Sequence, residues 1–328
     1  MEANTSARQI IGDDMIIYLV IAAILLAAEL FYFRLADHYN IIDHPNERSS
    51  HTKITIRGGG VIFLLAAICV AIMHPGYWLP VSGIIVIGTI SFLDDVHTLS
   101  SRIRLLFHFI AVTVMFFYLG IFSMLPFYIS ALLYIMVIGV INMYNFMDGI
   151  NGITGIYSFV VLSGLQYINL KQTPFIEADM IWLPIIACLI FLFFNFRGKA
   201  KCFAGDVGSV TIAFWIIMLL MRLIYMTGDW AYILFLVVYG IDSVLTILHR
   251  LMRKENILKA HRLHFYQILA NERKVPHLVV SAGYAILQAG IIAAIIAYPL
   301  LPALSFFLIT IVPLVIIYIL LKPRLMKV

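Results

Sequence analysis

The residues that could do chemistry are concentrated in short polar segments between long apolar runs. Segment 142–155 reads NMYNFMDGINGITG and places Asn145, Asp148 and Asn151 at a spacing of three. On a continuous helix, this spacing keeps the three polar side chains within an arc of about 120°, beside a stripe of glycines. The glycines alone would also suit a helix-packing seam, since small residues let membrane helices approach. An ionisable Asp148 is costly in lipid and indicates function.

Two further polar segments carry carboxylates. Asp94 and Asp95 are adjacent at the end of an apolar run, where they repel each other unless a cation or proton is present. They could bind Mg²⁺ or orient a nucleophile, or they could cap the next helix and pair with nearby arginines. Asp206, in the segment GDVGS, suits either a metal ligand beside a phosphate or a helix N-cap. Phe203 offers a stacking face or ordinary packing.

Basic side chains fill the first and the last of the polar segments. A helix N-terminus with nearby cations suits an anion such as phosphate, and three glycines, 58–60, follow the first basic group. For any single Lys or Arg, an ordinary positive loop explains the charge as well. Zinc-ligand spacing is absent from the sequence. The basic candidates are Arg48, His51, Lys53 and Arg57 in the first segment, and His261, Arg262 and His264 in the last.

The composition places these segments in an all-α, polytopic membrane protein. The 328 residues are 63% hydrophobic and 12% charged, with a mean hydropathy of +1.01. These values exclude a water-soluble domain, and long continuous apolar runs disfavour a β-barrel. The net charge of +5 lies in loops beside the membrane, so it does not indicate nucleic-acid binding.

Apolar runs of about 20 residues predict eleven transmembrane helices in a single domain, 1–328, without an internal repeat. The expected spans are 15–34, 58–74, 78–93, 103–120, 126–144, 152–169, 178–195, 208–226, 230–249, 276–298 and 301–321.

Charge predicts the orientation of this bundle. With the N-terminus outside and the C-terminus cytoplasmic, only Arg8, Lys171 and Arg222 of the 22 Lys and Arg residues fall on the outer side, as the positive-inside rule requires. All the polar segments then face the cytoplasm and form one site. The expected cytoplasmic active-site loops are 35–57, 94–102, 145–151, 196–207 and 250–275.

In this order the motifs resemble one family, the polyprenyl-phosphate N-acetylhexosamine-1-phosphate transferase superfamily (MraY/WecA-like glycosyltransferase family 4). The similar motifs are Asp43-x-Pro45-Asn46-x-Arg48 with His51 and Gly59-Gly60, the pair Asp94-Asp95, Asn145-x-x-Asp148-Gly149, and Phe203-x-Gly205-Asp206-x-Gly208-Ser209. Two departures, Asn151 in place of an Asp and a histidine-rich motif reduced to residues 264–267, resemble the WbpL-like branch.

The resemblance implies an enzyme that transfers a sugar-1-phosphate from a UDP-N-acetylhexosamine to undecaprenyl phosphate and releases UMP. The sugar would be GlcNAc or a deoxy relative such as FucNAc or QuiNAc. The reaction would initiate O-antigen or other cell-envelope glycan synthesis at the bacterial plasma (inner) membrane. It would require Mg²⁺, with Mn²⁺ as a substitute, and a homodimer is left open.

The resemblance also assigns roles to residues. Asp206 would bind the metal, and the catalytic residues would be Asp94, Asp95 and Asp148. The substrate-binding residues would be Arg48, His51, Lys53, Arg57, Asn145, Asn151, Phe203, His261, Arg262 and His264. The alternative reading is a membrane transporter or flippase for an anionic solute, whose acids should lie at the bilayer midplane. A purely structural membrane scaffold is the third reading.

Overall fold

The structure, a computed structural model, describes residues 2–43, 55–256 and 261–326, with side chains from residue 15 onward. Short 3₁₀ segments, Pro75–Tyr77 and Trp230–Leu236, and a π-helical turn, Ile268–Glu272, join some of the helices. Strands β1 (Ile42–Asp43) and β2 (Thr55–Ile56) pair antiparallel. The α-helices are α1 (Glu2–His38), α2 (Val61–Met73), α3 (Trp78–His97), α4 (Ser101–Leu119), α5 (Ile121–Met124), α6 (Phe127–Met147), α7 (Ile153–Lys171), α8 (Asp179–Asn195), α9 (Gly205–Thr227), α10 (Val237–Met252), α11 (Phe265–Gln267), α12 (His277–Ala297) and α13 (Ala303–Met326).

The prediction of an all-α, polytopic membrane protein is confirmed. Among the described residues, nine helices are long and apolar enough to cross a membrane. The two other expected spans, α2 and α8, are apolar helices of 13 and 17 residues. Both fall below the length of about 20 residues that spans a bilayer without adjustment. The count of eleven spans and the orientation of the termini therefore stay predictions.

Helix α9 forms the centre of the bundle, and α13 lies at its edge. Nearly every residue of α9 from Val207 to Leu223 is buried against α2, α3, α6 and α7. In contrast, α13 buries only Phe306, Tyr318 and Lys322. The polar N-terminus of α9 is thus fixed in place by packing along the length of the helix.

A buried glutamine forms hydrogen bonds with the backbone where the helical pattern is interrupted before α10. The 3₁₀ segment Trp230–Leu236 gives way to α10 at Val237, which interrupts the regular hydrogen-bond ladder. Gln288 of α12 bridges the break, because its Nε2 donates to Leu234 O at 2.9 Å and its Oε1 accepts from Val238 N at 3.2 Å. Backbone groups inside a membrane must find such partners within the protein.

Segment 142–155 is not one continuous helix, and a turn lies between the expected spans 126–144 and 152–169. Helix α6 ends at Met147, and Asp148 leaves the helical conformation with φ −79° and ψ 55°. A turn follows, in which Gly152 has a φ of +84° that only glycine adopts without strain. Asn145 and Asn151 therefore meet across a turn and not along one helical face.

Candidate active site

A polar cleft of about 270 Å³ lies where the ends of α6, α8, α9 and α12 meet. Charged side chains line one part of its wall, and neutral hydrogen-bonding side chains line another. The charged residues are Asp43, Arg57, Asp148 and Asp206, and the neutral polar ones are Asn145, Asn151, Asn195, Gln267 and His277.

Asp95 holds the N-terminus of α9 beside this cleft. Its side chain is fully buried, and Oδ1 accepts hydrogen bonds from Arg57 Nε at 2.8 Å and from Asp206 N at 3.0 Å. Oδ2 accepts from Val207 N at 2.9 Å. The first N–H groups of a helix lack intrahelical partners and attract negative charge, so this carboxylate satisfies them from another helix. Asp95 does not line the cleft, and the structure places it behind Asp206.

Two arginines connect the aspartates of α3 with that of α9. Arg104 Nη1 lies 3.1 Å from Asp94 Oδ2 and 3.3 Å from Asp206 Oδ2. Arg57 Nη2 lies 4.0 Å from Asp206 Oδ1. Asp94 also accepts a hydrogen bond from Leu99 N in the turn after α3. The structure thus brings Asp94, Asp95 and Asp206 into one ionic network.

Asp148 and Asn145 enter the cleft from the end of α6. Burial, reinforced by the negative charge of Asp95, raises the pKa of Asp148 to about 7. Asn145 Oδ1 accepts a hydrogen bond from Ser209 Oγ at 3.0 Å, which joins α6 to the first turn of α9. The wall thereby holds a carboxyl group that changes charge near neutral pH, in the same cleft as the carboxyl group of Asp206.

Asn151 and Asn195 fasten the turn after α6 to the end of α8. Asn151 Nδ2 donates to Arg197 O at 2.8 Å, and Asn195 Oδ1 accepts from Gly152 N at 2.6 Å. Asn195 Nδ2 donates in turn to Cys202 O at 2.8 Å. Asn151 therefore lines the cleft, and its side-chain amide already donates a hydrogen bond to the protein backbone.

The glycines of the first polar segment pack against the fourth instead of offering an anion site. Gly59 N donates to Phe203 O at 2.8 Å, and Gly60 N donates to Ala204 O at 3.0 Å. A Cβ on Gly60 would overlap the backbone of Gly208. The expectation that these N–H groups bind phosphate is wrong, because backbone carbonyls already occupy them. The contact instead presents Phe203 and Arg57 to the same cleft.

The glycines of segment 142–155 are likewise packing positions. A Cβ on Gly149 would strike Tyr266, one on Gly152 would strike Phe196, and one on Gly155 would strike Leu192. The helix-packing seam that the sequence left open explains them, and not a docked ligand.

None of the three basic candidates in the last polar segment lines the cleft. His264 is buried, with Nδ1 3.5 Å from Asp242 Oδ1 in α10. Burial and the positive neighbours His264 and Arg250 lower the pKa of His261 to about 4, so its imidazole is neutral at pH 7. Neither histidine nor Arg262 lines the cleft. Their assignment to substrate binding stays a prediction.

Three candidates of the first segment, Arg48, His51 and Lys53, lie outside the described residues. The structure gathers the other candidates of the first four segments around the cleft. Arg57, Asn145, Asp148, Asn151, Phe203 and Asp206 line it, and Asp94 and Asp95 support it from behind.

Four residues of this site were not among the candidate site residues from the sequence. Arg104 bridges two aspartates, and Asn195, Gln267 and His277 line the cleft. His277 begins α12, and its Nδ1 accepts a long hydrogen bond of 3.4 Å from Asn151 N. Their position at helix ends on the same side of the bundle was the available signal, but spacing alone does not pair residues of distant helices.

The cleft residues suit a magnesium ion that substrate phosphates help to hold. The carboxylates of Asp148 and Asp206 are hard oxygen ligands, and Mg²⁺ is commonly held by one or two carboxylates with phosphates and waters. Within the part of the chain that the structure describes, three or more His, Cys, Asp or Glu side chains do not cluster as a complete metal site. The donor set therefore fits an ion that arrives with a phosphorylated substrate better than a permanently caged one.

Comparison with known proteins agrees with this geometry. Residues 77–224 match the model of glycosyl transferase family 4. The chain is also 24% identical over 284 residues to the "Probable undecaprenyl-phosphate N-acetylglucosaminyl 1-phosphate transferase" of Bacillus subtilis (strain 168), an alignment that covers 78% of each chain. The chain is thus similar to glycosyl transferase family 4 over slightly less than half of its length. The resemblance seen in the sequence is thereby confirmed at the level of the superfamily.

The segment that matches family 4 contains the centre of the candidate site. It runs from the turn before α3 into the last third of α9 and includes Asp94, Asp95, Asp148 and Asp206. Arg57, Gln267 and His277 lie outside the matched segment and are placed at the site by the structure.

Proposed function

We propose that this protein transfers a sugar-1-phosphate from a UDP-N-acetylhexosamine to undecaprenyl phosphate. The supporting observation is that Asp148 and Asp206, with Arg57 beside them, line one cleft at the ends of membrane-spanning helices. The phosphate of a membrane lipid lies at the membrane surface, where the ends of spanning helices also lie. The name of the Bacillus relative supports the same reaction class.

In this reaction an oxygen of the lipid phosphate attacks the sugar-bearing phosphorus of the UDP-sugar. The bond from that phosphorus to the bridging oxygen of UMP breaks, and UMP leaves with the bonding electrons. The lipid phosphate and the diphosphate of the UDP-sugar repel each other, so the reaction mainly requires positive charge beside them. Bound Mg²⁺ would supply part of that charge.

In the proposed reaction, the role of each residue would follow from its position at the cleft. Asp148 and Asp206 would hold the metal with the diphosphate, and Arg57 would compensate phosphate charge within the cleft. Asp95 would position Asp206 through the N-terminus of α9. Asp94 would orient Arg104, which also contacts Asp206. The neutral wall at Asn151, Asn195, Gln267 and His277 would take the uncharged part of the nucleotide sugar.

A transporter for an anionic solute is the rival function, and the depth of the acids disfavours it. Asp94 and Asp95 lie in the last turn of α3, Asp148 follows the last residue of α6, and Asp206 is the second residue of α9. A transporter places its ionisable groups near the bilayer midplane. These aspartates lie at helix ends, where an interfacial enzyme needs them.

The finer assignments are proposals as well. The departures at Asn151 and at residues 264–267 support a WbpL-like enzyme that uses UDP-GlcNAc or a deoxy relative such as UDP-FucNAc or UDP-QuiNAc. Its product would begin O-antigen or another envelope glycan. The charge bias of the loops supports a bacterial inner-membrane location with the cleft facing the cytoplasm.

A panel assay tests the proposal. Purified protein is incubated with undecaprenyl phosphate, Mg²⁺ and each of these UDP-sugars, and both UMP release and lipid-linked sugar are measured. We expect both products in equal amounts with at least one UDP-sugar, loss of both with EDTA, and recovery with Mg²⁺ or Mn²⁺. Transport of an anionic solute into vesicles without any lipid-linked product would refute the enzyme.

A further inference from the structure

Asp242 is an acid inside the membrane-spanning part of α10, and the reaction proposed above does not use it. It is only 3% exposed, and it does not line the active-site cleft. An ionisable group within a membrane span is costly, so the partners of this carboxylate indicate what it does.

The carboxylate of Asp242 holds the start of the short helix α11. Its Oδ1 accepts a hydrogen bond from Phe265 N at 2.7 Å, and its Oδ2 accepts from Tyr266 N at 3.3 Å. These are the first two N–H groups of α11, which have no partner within that helix. Asp95 binds two backbone N–H groups at the start of α9 in the same way. In both cases, a buried acid of one helix fixes the start of another helix that contributes a residue to the cleft.

Neighbours on three helices keep Asp242 in this position. The Tyr284 hydroxyl of α12 donates to Oδ2 at 2.7 Å, and His264 Nδ1 lies 3.5 Å from Oδ1. Thr246 Oγ1 of α10 donates to Oδ1 at 3.3 Å and accepts from Lys322 Nζ of α13 at 3.1 Å. A buried carboxylate is tolerated where it is hydrogen-bonded and has positive charge nearby. The acid is therefore a fixed point from which α11 is held.

Tyr266, the middle residue of α11, extends this hold to the turn after α6. Its side chain is fully buried, and its hydroxyl donates to Phe146 O at 2.9 Å. The same hydroxyl occupies the space that a Cβ on Gly149 would need. Asp148 lies between these two contacts in the chain. One hydroxyl therefore supports the backbone on both sides of Asp148.

The last residue of α11 contacts the active-site cleft directly. Gln267 lines that cleft, and its Oε1 accepts a hydrogen bond from His264 N at 3.3 Å in a capping box. A shift of α11 would thus move the cleft wall at Gln267 and the turn at Asp148 together.

We propose that Asp242 is a positioning residue for the transferase: it fixes α11, and Tyr266 transmits this hold to Asp148. The inference rests on the proposed function, because Asp148 has its role in that reaction. Asp242 and Tyr266 act without lining the cleft themselves. Without this support the turn at 146–149 moves, and a misplacement of about 1 Å at a reacting group can lower a rate by about a hundredfold.

Two matched tyrosine variants test the support of the turn. Tyr266→Phe removes only the hydroxyl that contacts Phe146 and Gly149. Tyr157→Phe removes another fully buried hydroxyl, which donates to Gln288 Oε1 at 2.6 Å and does not contact α11. Transfer of sugar phosphate to lipid is measured at matched amounts of folded protein. We expect Tyr266→Phe to lower kcat about tenfold with KM for undecaprenyl phosphate within about twofold, and Tyr157→Phe to keep both constants.

A double variant tests whether Asp242 acts through Tyr266. Asp242→Asn alone should also lower kcat about tenfold, because its neutral amide holds the N–H groups of α11 less strongly. Since both changes interrupt the same path, the double variant should be no slower than the slower single variant. Two independent effects would multiply to a loss of about a hundredfold. If Asp242→Asn does not fold, the tyrosine pair decides.

Hydrogen exchange gives a readout that does not depend on turnover. Backbone exchange of peptides that contain residues 146–150 is measured by mass spectrometry in protein without metal or substrate. We expect faster exchange in Tyr266→Phe and Asp242→Asn, and wild-type exchange in Tyr157→Phe.

A wild-type kcat in Tyr266→Phe, an equal loss in Tyr157→Phe, wild-type exchange of the turn in Tyr266→Phe, or multiplying losses in the double variant would overturn the proposal. Absence of transfer by the wild-type protein would instead refute the proposed function. The exchange measurement would then decide alone whether Asp242 and Tyr266 hold the turn.

Discussion

The side chain of Asp95 accepts a hydrogen bond from the backbone N–H of Asp206, but the two side chains have different surroundings. Both oxygens of Asp95 accept hydrogen bonds from Arg57 or from the backbone of α9, and this residue does not line the cleft. Asp206 lines the cleft, and the side chains of Arg57 and Arg104 lie near its oxygens. Under the proposed function, Asp95 would position Asp206, and Asp206 would contact the substrate or the metal.

Asp206→Asn should abolish turnover and leave the fold intact. The variant keeps the shape of the side chain and removes the charge that would hold Mg²⁺, so we expect a loss of at least about a hundredfold in rate. The measurement is transfer of radiolabelled sugar phosphate into lipid at matched expression. Glu177→Gln, at an exposed acid outside the cleft, is the matched control and should keep full activity. Wild-type rates in Asp206→Asn would remove this residue from the site.

The raised pKa of Asp148 predicts a pH-dependent cost to stability. Its pKa is about 7 in the folded chain, against an ordinary value near 4, so the folded state binds the proton more tightly. Ionisation therefore destabilises the fold progressively as pH rises from about 4 to about 7, and by a constant amount above that. Asp148→Asn should remove this cost, so its stability relative to wild type should increase across the same window.

Thermal unfolding of both proteins in EDTA, followed across this pH range, gives the comparison. The metal must be absent because a bound cation favours the carboxylate. A difference between variant and wild type that stays constant with pH would show that Asp148 titrates normally.

Asn151→Asp should be harmful, although the family motif that the sequence resembles has an Asp at this position. The amide donates to Arg197 O, and an ionised carboxylate would instead face that carbonyl with no proton to share. The loss of a buried hydrogen bond of this kind costs about 1–3 kcal/mol. Thermal unfolding should show the loss at pH 7 and a partial recovery at low pH, where the acid regains a proton. A deficit that does not change with pH would contradict this explanation.

At the scale of elements, the approach of α2 to α9 depends on glycine. The backbones of Gly60 and Gly208 are so close that a Cβ on either would strike the other. Gly60→Ala should therefore force the helices apart and destabilise the fold by about 1–3 kcal/mol. Gly139→Ala is the control, since a Cβ at that position of α6 meets open space. Urea unfolding in detergent measures both, and equal stabilities would refute the close packing.

The sequence located the helices well because hydropathy reports burial in lipid directly. It did not show the path of the backbone between two helices. On a continuous helix, Asn145, Asp148 and Asn151 would have shared one face, but the backbone turns at Asp148 and Gly152. The candidate residues still share a cleft, since a turn can gather side chains as well as a helical face does.

Other features of the site depend on tertiary contacts that a single sequence does not show. Arg104 was recognised only as a neighbour of Asp94, and nothing in its position indicates the contact with Asp206, 102 residues away. The same holds for His277 at the start of α12. In contrast, the paired aspartates and the segment containing Asp206 were recognisable because several polar groups fell close together between apolar runs.

At the scale of the whole molecule, the distribution of Lys and Arg among the loops predicts which side of the helix bundle faces the cytoplasm. Cysteine labelling in intact cells tests this: Glu177→Cys lies in a connection expected outside, and Lys199→Cys in one expected inside. A membrane-impermeant maleimide should label only the first variant, and wild-type protein with its Cys69, Cys188 and Cys202 gives the background. Labelling of Lys199→Cys alone would invert the topology and place the cleft on the outer side.

The bonds of Asp95 also have a consequence for the biogenesis of the protein. Membrane helices enter the bilayer as the chain is synthesised, and 111 residues separate Asp95 from its partner N–H at Asp206. While α4 to α8 are being inserted, the carboxylate has Arg57 beside it but lacks the two backbone donors of α9. A ribosome that stalls before α9 therefore leaves a nascent protein in which the Asp95 carboxylate lacks two of its three hydrogen-bond donors.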